Sequence, residues 1–219
     1  MEDVLEVYAR PYDARRPVVC LDEKSKELHA TPRGTLPMRP NDKSGPSGQP
    51  HRQDAEYERH GTANLFCWLE PLTGRCSVRV TARRTGWDFA EQLRLLVDLD
   101  YPAAEHVVLV TDNLNTHSPA CLYERFEPAE ARRIAQKLEW HYTPEHGSWL
   151  NMAELELSIL SRQCLNRRIP DGPTLIQEVT AWEQRRNATP VQVRWQFTTA
   201  DARLKLRRLY PIIKVQGSI

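Results

Sequence analysis

With 219 residues, 40% of them aliphatic or aromatic and 27% charged, the chain reads as a soluble globular protein with a substantial core, and one domain is the simplest organisation. General disorder is excluded by that balance, and a membrane span by the absence of any apolar run near the roughly 20 residues required. Net charge is only +1, yet the stretch from Arg162 to Ile219 holds eleven Lys and Arg against four Asp and Glu, a local +7 that leaves about −6 for the preceding part.

An acidic centre beside a basic flank suits a metal-dependent enzyme acting on a polyanion, although a solvated basic helix face explains the flank equally well. Met1 to Tyr8 alternates acidic and apolar residues and lacks the basic start and long apolar centre of a signal peptide, so a cytoplasmic location is expected. Five cysteines (Cys20, Cys67, Cys76, Cys121 and Cys164) are odd in number and contain no CxxC pair, so they read as buried free thiols.

In chain order, residues 1–16 form a short helix or arm, and 17–219 the main domain. Pro17 to Asp22 is a short β-branched strand. A polar loop follows over 33–60, punctuated by Pro37, Pro40, Pro46 and Pro50 and carrying Arg33, Arg39, Lys43 and Arg52, which suits either DNA contact or a plain insert. Thr62 to Glu70 and Arg75 to Ala82 read as an antiparallel hairpin about Pro71–Gly74. Trp87 to Leu99 repeats Phe89, Leu93, Leu96 and Val97 at helical spacing, and His106 to Thr111 is apolar as a central parallel strand would be. Asn113 to Ser118 is a polar loop, Pro128 to Leu138 a helix, and Glu139 to Tyr142 a strand. Ser148 is the candidate N-cap of a helix reaching Cys164, and Thr174 to Arg186 opens another. Residues 165–219 complete a basic helical part that ends in Arg203, Lys205, Arg207 and Arg208.

Three strands, helix, strand, helix, strand and then helices is the order of a ribonuclease H-like (retroviral integrase-like) α/β fold, a mixed five-stranded sheet flanked by helices. Strand order follows here from fold analogy, not from periodicity. In that arrangement the ends of the first and fourth strands are neighbours, which brings Asp22 beside Asp112. A lone Asp at a strand end is more often a turn former, but two such ends that each open a polar loop point toward a cation site. The third acid is Glu154 or Glu156, which lie about 160° apart on one helix and cannot share a site. Helical phase favours Glu154 only modestly.

The segments Leu21-Asp22-Glu23-Lys24, Thr111-Asp112-Asn113-Leu114-Asn115-Thr116-His117 and Tyr142 through Glu154, with its Trp149-Leu150-Asn151-Met152-Ala153-Glu154, resemble DDE transposases of the mariner superfamily, in its bacterial insertion-sequence branch. Tyr57 to Thr62 and Val193 to Tyr210 extend the resemblance over nearly the whole chain from Pro17. It implies that Asp22, Asp112 and Glu154 are catalytic and hold two Mg²⁺ ions, with Mn²⁺ as a substitute. It also implies a bacterial DNA endonuclease and strand transferase, nucleoid-associated when bound to DNA, that cuts transposon ends and joins them to target DNA as a homodimer. A ribonuclease H-like or Holliday-junction nuclease, or a domesticated non-catalytic DNA-binding protein, is the alternative. Asn113, His117, His146, Trp149, Arg203, Lys205, Arg207 and Arg208 are the candidate DNA-contacting residues, with a structural role for His117 and His146, a helix cap for Asn113 and core packing for Trp149 as the alternatives. Two departures stand out: too few residues precede Pro17 for the family's helix-turn-helix domains, and the 41 residues between the second and third acids exceed the mariner-type norm.

Overall fold

The computed structural model describes residues 1–33 and 55–210. Strands Val18–Ala30 (β1), Glu58–Glu70 (β2), Arg75–Thr81 (β3), Val107–Thr111 (β4) and Leu138–Tyr142 (β5) form one mixed sheet in the order β3-β2-β1-β4-β5. β1, β2 and β3 run antiparallel to their neighbours, and β4 and β5 add in parallel on the other side of β1. Every residue of β4 is buried, as its unbroken apolar sequence requires of a strand covered on both faces. The β2–β3 turn closes on Gly74 at φ 73°, where a Cβ would lie 2.4 Å from the Val191 carbonyl carbon, so both the backbone angle and the crossing chain demand glycine.

The sheet is longer than its apolar content indicates. β1 continues through Lys24, Lys26 and Glu27 to Ala30, and β2 begins at Glu58, so the expected loop over 33–60 loses its far end to a strand. Polar side chains on this extension find partners across the fold. Lys24 Nζ donates to Ser161 Oγ at 2.9 Å, and Lys26 Nζ donates to the Leu165 and Arg167 carbonyls. Arg39, Lys43 and Arg52 lie outside the described residues.

Helices Glu2–Tyr8 (α1), Gly86–Leu95 (α2), Ala120–Arg125 (α3), Pro128–Lys137 (α4), Met152–Leu160 (α5), Gly172–Ala188 (α6) and Thr199–Lys205 (α7) cover the two faces. Strand alternation sends Val19 and Leu21 to one face, where they meet Phe89 and Leu93 of α2, Leu122 of α3 and Ile134 of α4. Cys20 points the opposite way, into a second core with Val4 and Val7 of α1, Leu157 and Leu160 of α5, and Val179 and Trp182 of α6. All five cysteines are free and buried. Among the described residues no helix is long and apolar enough to cross a membrane.

Two local readings change. The chain from Ser148 to Leu150 makes a 3₁₀ turn, and the cap of α5 is Asn151, not Ser148; α5 then ends at Leu160 and loosens into a π-turn over Ser161–Leu165. Helix α3 is a short addition between β4 and α4 that takes up part of the long spacing between the second and third acids.

Candidate active site

Parallel pairing of Val18 with Val108 and Cys20 with Val110, extended by two residues, brings Asp22 level with Asp112. Alternation places Asp22 on the Cys20 side of the sheet, beneath α5. Asp22 is 9% exposed, and its Oδ1 accepts a hydrogen bond from the Glu23 backbone N–H at 2.8 Å. Burial pushes its carboxyl up to about 7; the Glu23 N–H opposes this, while the charges of Asp112, Glu23 and Glu154 add to the rise. The acids of the loop after β4 and of α5 therefore both act on Asp22 of β1.

Glu154 and Glu156 separate as their 160° offset demands. Glu156 is fully buried and forms a two-pronged ion pair with Arg186 of α6, Nε to Oε1 at 2.7 Å and Nη2 to Oε2 at 3.1 Å. Its charge is answered on the far side of the helix, leaving Glu154 as the α5 acid that acts on Asp22. The start of α5 is fixed by Asn151, 1% exposed, whose Oδ1 accepts from the Ala153 N–H at 3.1 Å while its Nδ2 donates to the Leu21 carbonyl at 2.9 Å. One amide thus caps the helix carrying Glu154 and ties it to the strand carrying Asp22. Asn151 was readable as a cap-forming residue type, but Ser148 competed for the position.

His117 is not on the surface. It is 1% exposed, stacked on Phe89 with ring centroids 4.1 Å apart, and both ring nitrogens are engaged. Nδ1 makes a short hydrogen bond with Asp112 Oδ1, and Nε2 lies 2.9 Å from Glu23 Oε2. Burial lowers the imidazole pKa, but its bonds to Asp112 and Glu23 outweigh this and raise it to about 9. Of the two expectations for His117, contact with DNA or a structural role, the structural one matches its buried contact with the second acid.

Chemically, Asp22, Asp112 and Glu154 offer carboxylate oxygens, a donor set suited to hard divalent cations. Mutually repelling acids, one of them held well above the ordinary carboxylate range, are what such a cation would neutralise. Among the described residues, no three His, Cys, Asp or Glu side chains are already drawn together as a metal-binding group.

This arrangement has counterparts. The family model described as DDE superfamily endonuclease matches residues 17–176, a span that includes Asp22, Asp112 and Glu154. The chain belongs to this endonuclease superfamily. Its fold is similar to that of the Mos1 strand transfer complex, with a TM-score of 0.54 and 15% identity over 83% of this chain and 50% of that one. It is also similar to the Mos1 mariner paired end complex with Mn, with a TM-score of 0.50 and 16% identity over 83% and 52% of the two chains. The chain spans about half the length of these Mos1 chains. No curated protein sequence matches it.

Around the acids of this DDE domain the other candidates divide. Asn113 is exposed in the loop after β4. His146 is exposed in the β5–α5 loop with φ 58°, a left-handed conformation, and the next residue, Gly147, has no room for a side chain because a Cβ would sit 2.5 Å from Pro144 Cγ. Trp149 is 47% exposed and stacks on Trp195 at 6.1 Å, with Phe197 edge-on at 6.0 Å. The expected basic run is partly neutralised: Arg203 is paired through two nitrogens with Glu2 of α1, and Lys205 lies 3.5 Å from Asp201 and over the Phe197 ring. Arg207 and Arg208 are exposed.

Proposed function

We propose that the chain is the catalytic domain of a transposase of the mariner superfamily, bacterial insertion-sequence branch, which cleaves DNA at transposon ends and transfers the strand into target DNA. Asp22, Asp112 and Glu154 would hold two divalent cations, Mg²⁺ with Mn²⁺ as a substitute. When bound, such ions activate a water or a DNA 3′-hydroxyl and stabilise the leaving oxygen at phosphorus. The observation that carries this reading is the electrostatic convergence of the three acids from β1, the β4 loop and α5 upon buried Asp22.

The residues of the chain supply the frame for this chemistry. Asn151 sets the height of Glu154 over β1, and the Glu156–Arg186 pair fixes the rotation of α5. Exposed Trp149, Asn113 and His146 are assigned to DNA contact, with exposed Arg207 and Arg208 as phosphate contacts. Double-stranded DNA is the partner, and joining two ends requires two catalytic domains, so a homodimer on DNA is part of the proposal.

The test combines labelled element ends, a supercoiled target and Mn²⁺. Cleavage followed by joining is expected. Cleavage that never leads to joining would favour a ribonuclease H-like nuclease, and no cleavage with wild-type protein that binds Mn²⁺ would favour a non-catalytic DNA-binding protein.

A further inference from the structure

We infer that Glu23 and His117 are positioning residues: a buried Asp112–His117–Glu23 bridge links β1 to the β4 loop and sets the orientation of the second acid. The inference rests on the metal-site reading of the three acids and goes beyond it. Asp112 lies one residue past the end of β4, where no strand ladder fixes its backbone. Its Oδ1 is bound by His117 Nδ1 from within the same loop. That loop is anchored to β1 by Glu23 Oε2, 2.9 Å from His117 Nε2.

Glu23 cannot be a further member of the acid triad. Strand alternation turns it away from Asp22, toward the face where Leu21, Phe66 and Phe89 pack, and its side chain is only 4% exposed. A carboxylate buried among apolar side chains is tolerated when its charge is answered. The answering groups are His117 at 2.9 Å and Arg84 Nη1 at 3.7 Å. Glu23 Oε2 is shut off from solvent and faces the imidazole Nε2 at 2.9 Å. His117, with both nitrogens committed and its ring flat on Phe89, has no atom left for a metal or a phosphate. Its remaining use is to hold Asp112. Groups that orient a ligand in this way typically contribute about 10- to 100-fold to metal affinity.

The test is Mn²⁺ titration of the full chain by calorimetry, with thermal unfolding followed in parallel. Wild type is expected to bind Mn²⁺, and Asp112→Asn to lose most of that affinity. Glu23→Gln should bind about 10-fold more weakly, and His117→Ala more weakly still. His117→Asn, which keeps a nitrogen toward Asp112, should recover part of the loss. Folded Glu23→Gln and His117→Asn with wild-type affinity, beside an impaired Asp112→Asn, would overturn the bridge and leave the metal site standing. Wild-type affinity in Asp112→Asn, or no Mn²⁺ binding by wild type, would overturn the metal site and the bridge with it. Should His117→Ala fail to fold, Glu23→Gln decides by the same criterion.

Discussion

Two carboxylates on this sheet receive opposite treatment. Glu139, at the start of β5, is met by Arg10 at 2.7 Å, by Arg16 and by His141 Nε2 at 3.0 Å. Burial pushes its carboxyl up, yet Arg10, His141 and Arg16 outweigh that and hold it at about 2. Asp22 lies in the neighbouring strand but one, and burial holds it at about 7, with the negative charges of Asp112, Glu23 and Glu154 adding to the rise. An acid surrounded by guanidinium groups is part of the scaffold. One raised by burial and by neighbouring acids costs stability and marks a candidate binding site.

The sharpest way to break this comparison is at the acids themselves. Asp112→Asn removes a charge while keeping shape, and under the transposase reading Mn²⁺-dependent cleavage should fall by roughly 10⁴-fold, the scale on which removal of one member of a catalytic unit is felt. Its effect on urea unfolding is the balance of two opposed changes, relief of repulsion at Asp22 and loss of the carboxylate charge that faces buried His117. Retention of full cleavage would remove the acids from the chemistry.

Next in size is the contrast between two acids on one helix. Glu156→Ala leaves Arg186 buried without its partner and should cost about 3–5 kcal/mol, measured by urea unfolding. Glu154→Gln should change stability by no more than about 0.5 kcal/mol, as a partly exposed side chain outside the core, while abolishing cleavage. If both variants lost stability equally, the assignment of one to scaffold and the other to site would fail.

How far these roles can be read from sequence differs residue by residue. The strands themselves are legible, because β4 is apolar throughout and the hairpin about Gly74 is marked by its turn residues, whereas their order and the neighbourhood of Asp22 and Asp112 rest on fold analogy. The preference for Glu154 rested mainly on resemblance, since helical phase hardly separates two acids that both have apolar neighbours. What separates them is Arg186, thirty positions further along, and no local pattern announces a long-range ion pair. The inward fold of His117 is hidden from the sequence for a related reason. Its position in a polar loop gives no sign that the ring folds inward onto Phe89, and nothing local to Glu23 shows that its side chain is enclosed beside His117 and Arg84.

A smaller effect is expected at Asn151. Its replacement by Ala removes the α5 cap and leaves the Leu21 carbonyl without the amide, at a cost of about 1–2 kcal/mol by urea unfolding. Because the same amide joins the elements carrying Asp22 and Glu154, Mn²⁺ affinity should drop as well. Asn151→Asp tests the two halves separately, since a carboxylate can still cap the helix but cannot donate to the carbonyl. If stability recovers in Asn151→Asp and metal affinity does not, the tie to β1 is what the site requires.

The smallest effect comes from the scaffold side of the comparison. Glu139 has a folded pKa depressed from 4.5 to about 2, so its ion pairs contribute stability that is fully present above about pH 4.5 and is lost as pH falls toward 2. Glu139→Gln should therefore cost about 1 kcal/mol at pH 7, since Arg10 and Arg16 remain well exposed to water, and the difference from wild type should shrink over that acid window. Mn²⁺ affinity should stay at the wild-type value, because no charge near Asp22 has changed. A Glu139→Gln variant with weakened Mn²⁺ binding would mean that the two ends of the sheet are coupled and that the division between scaffold acid and site acid is drawn in the wrong place.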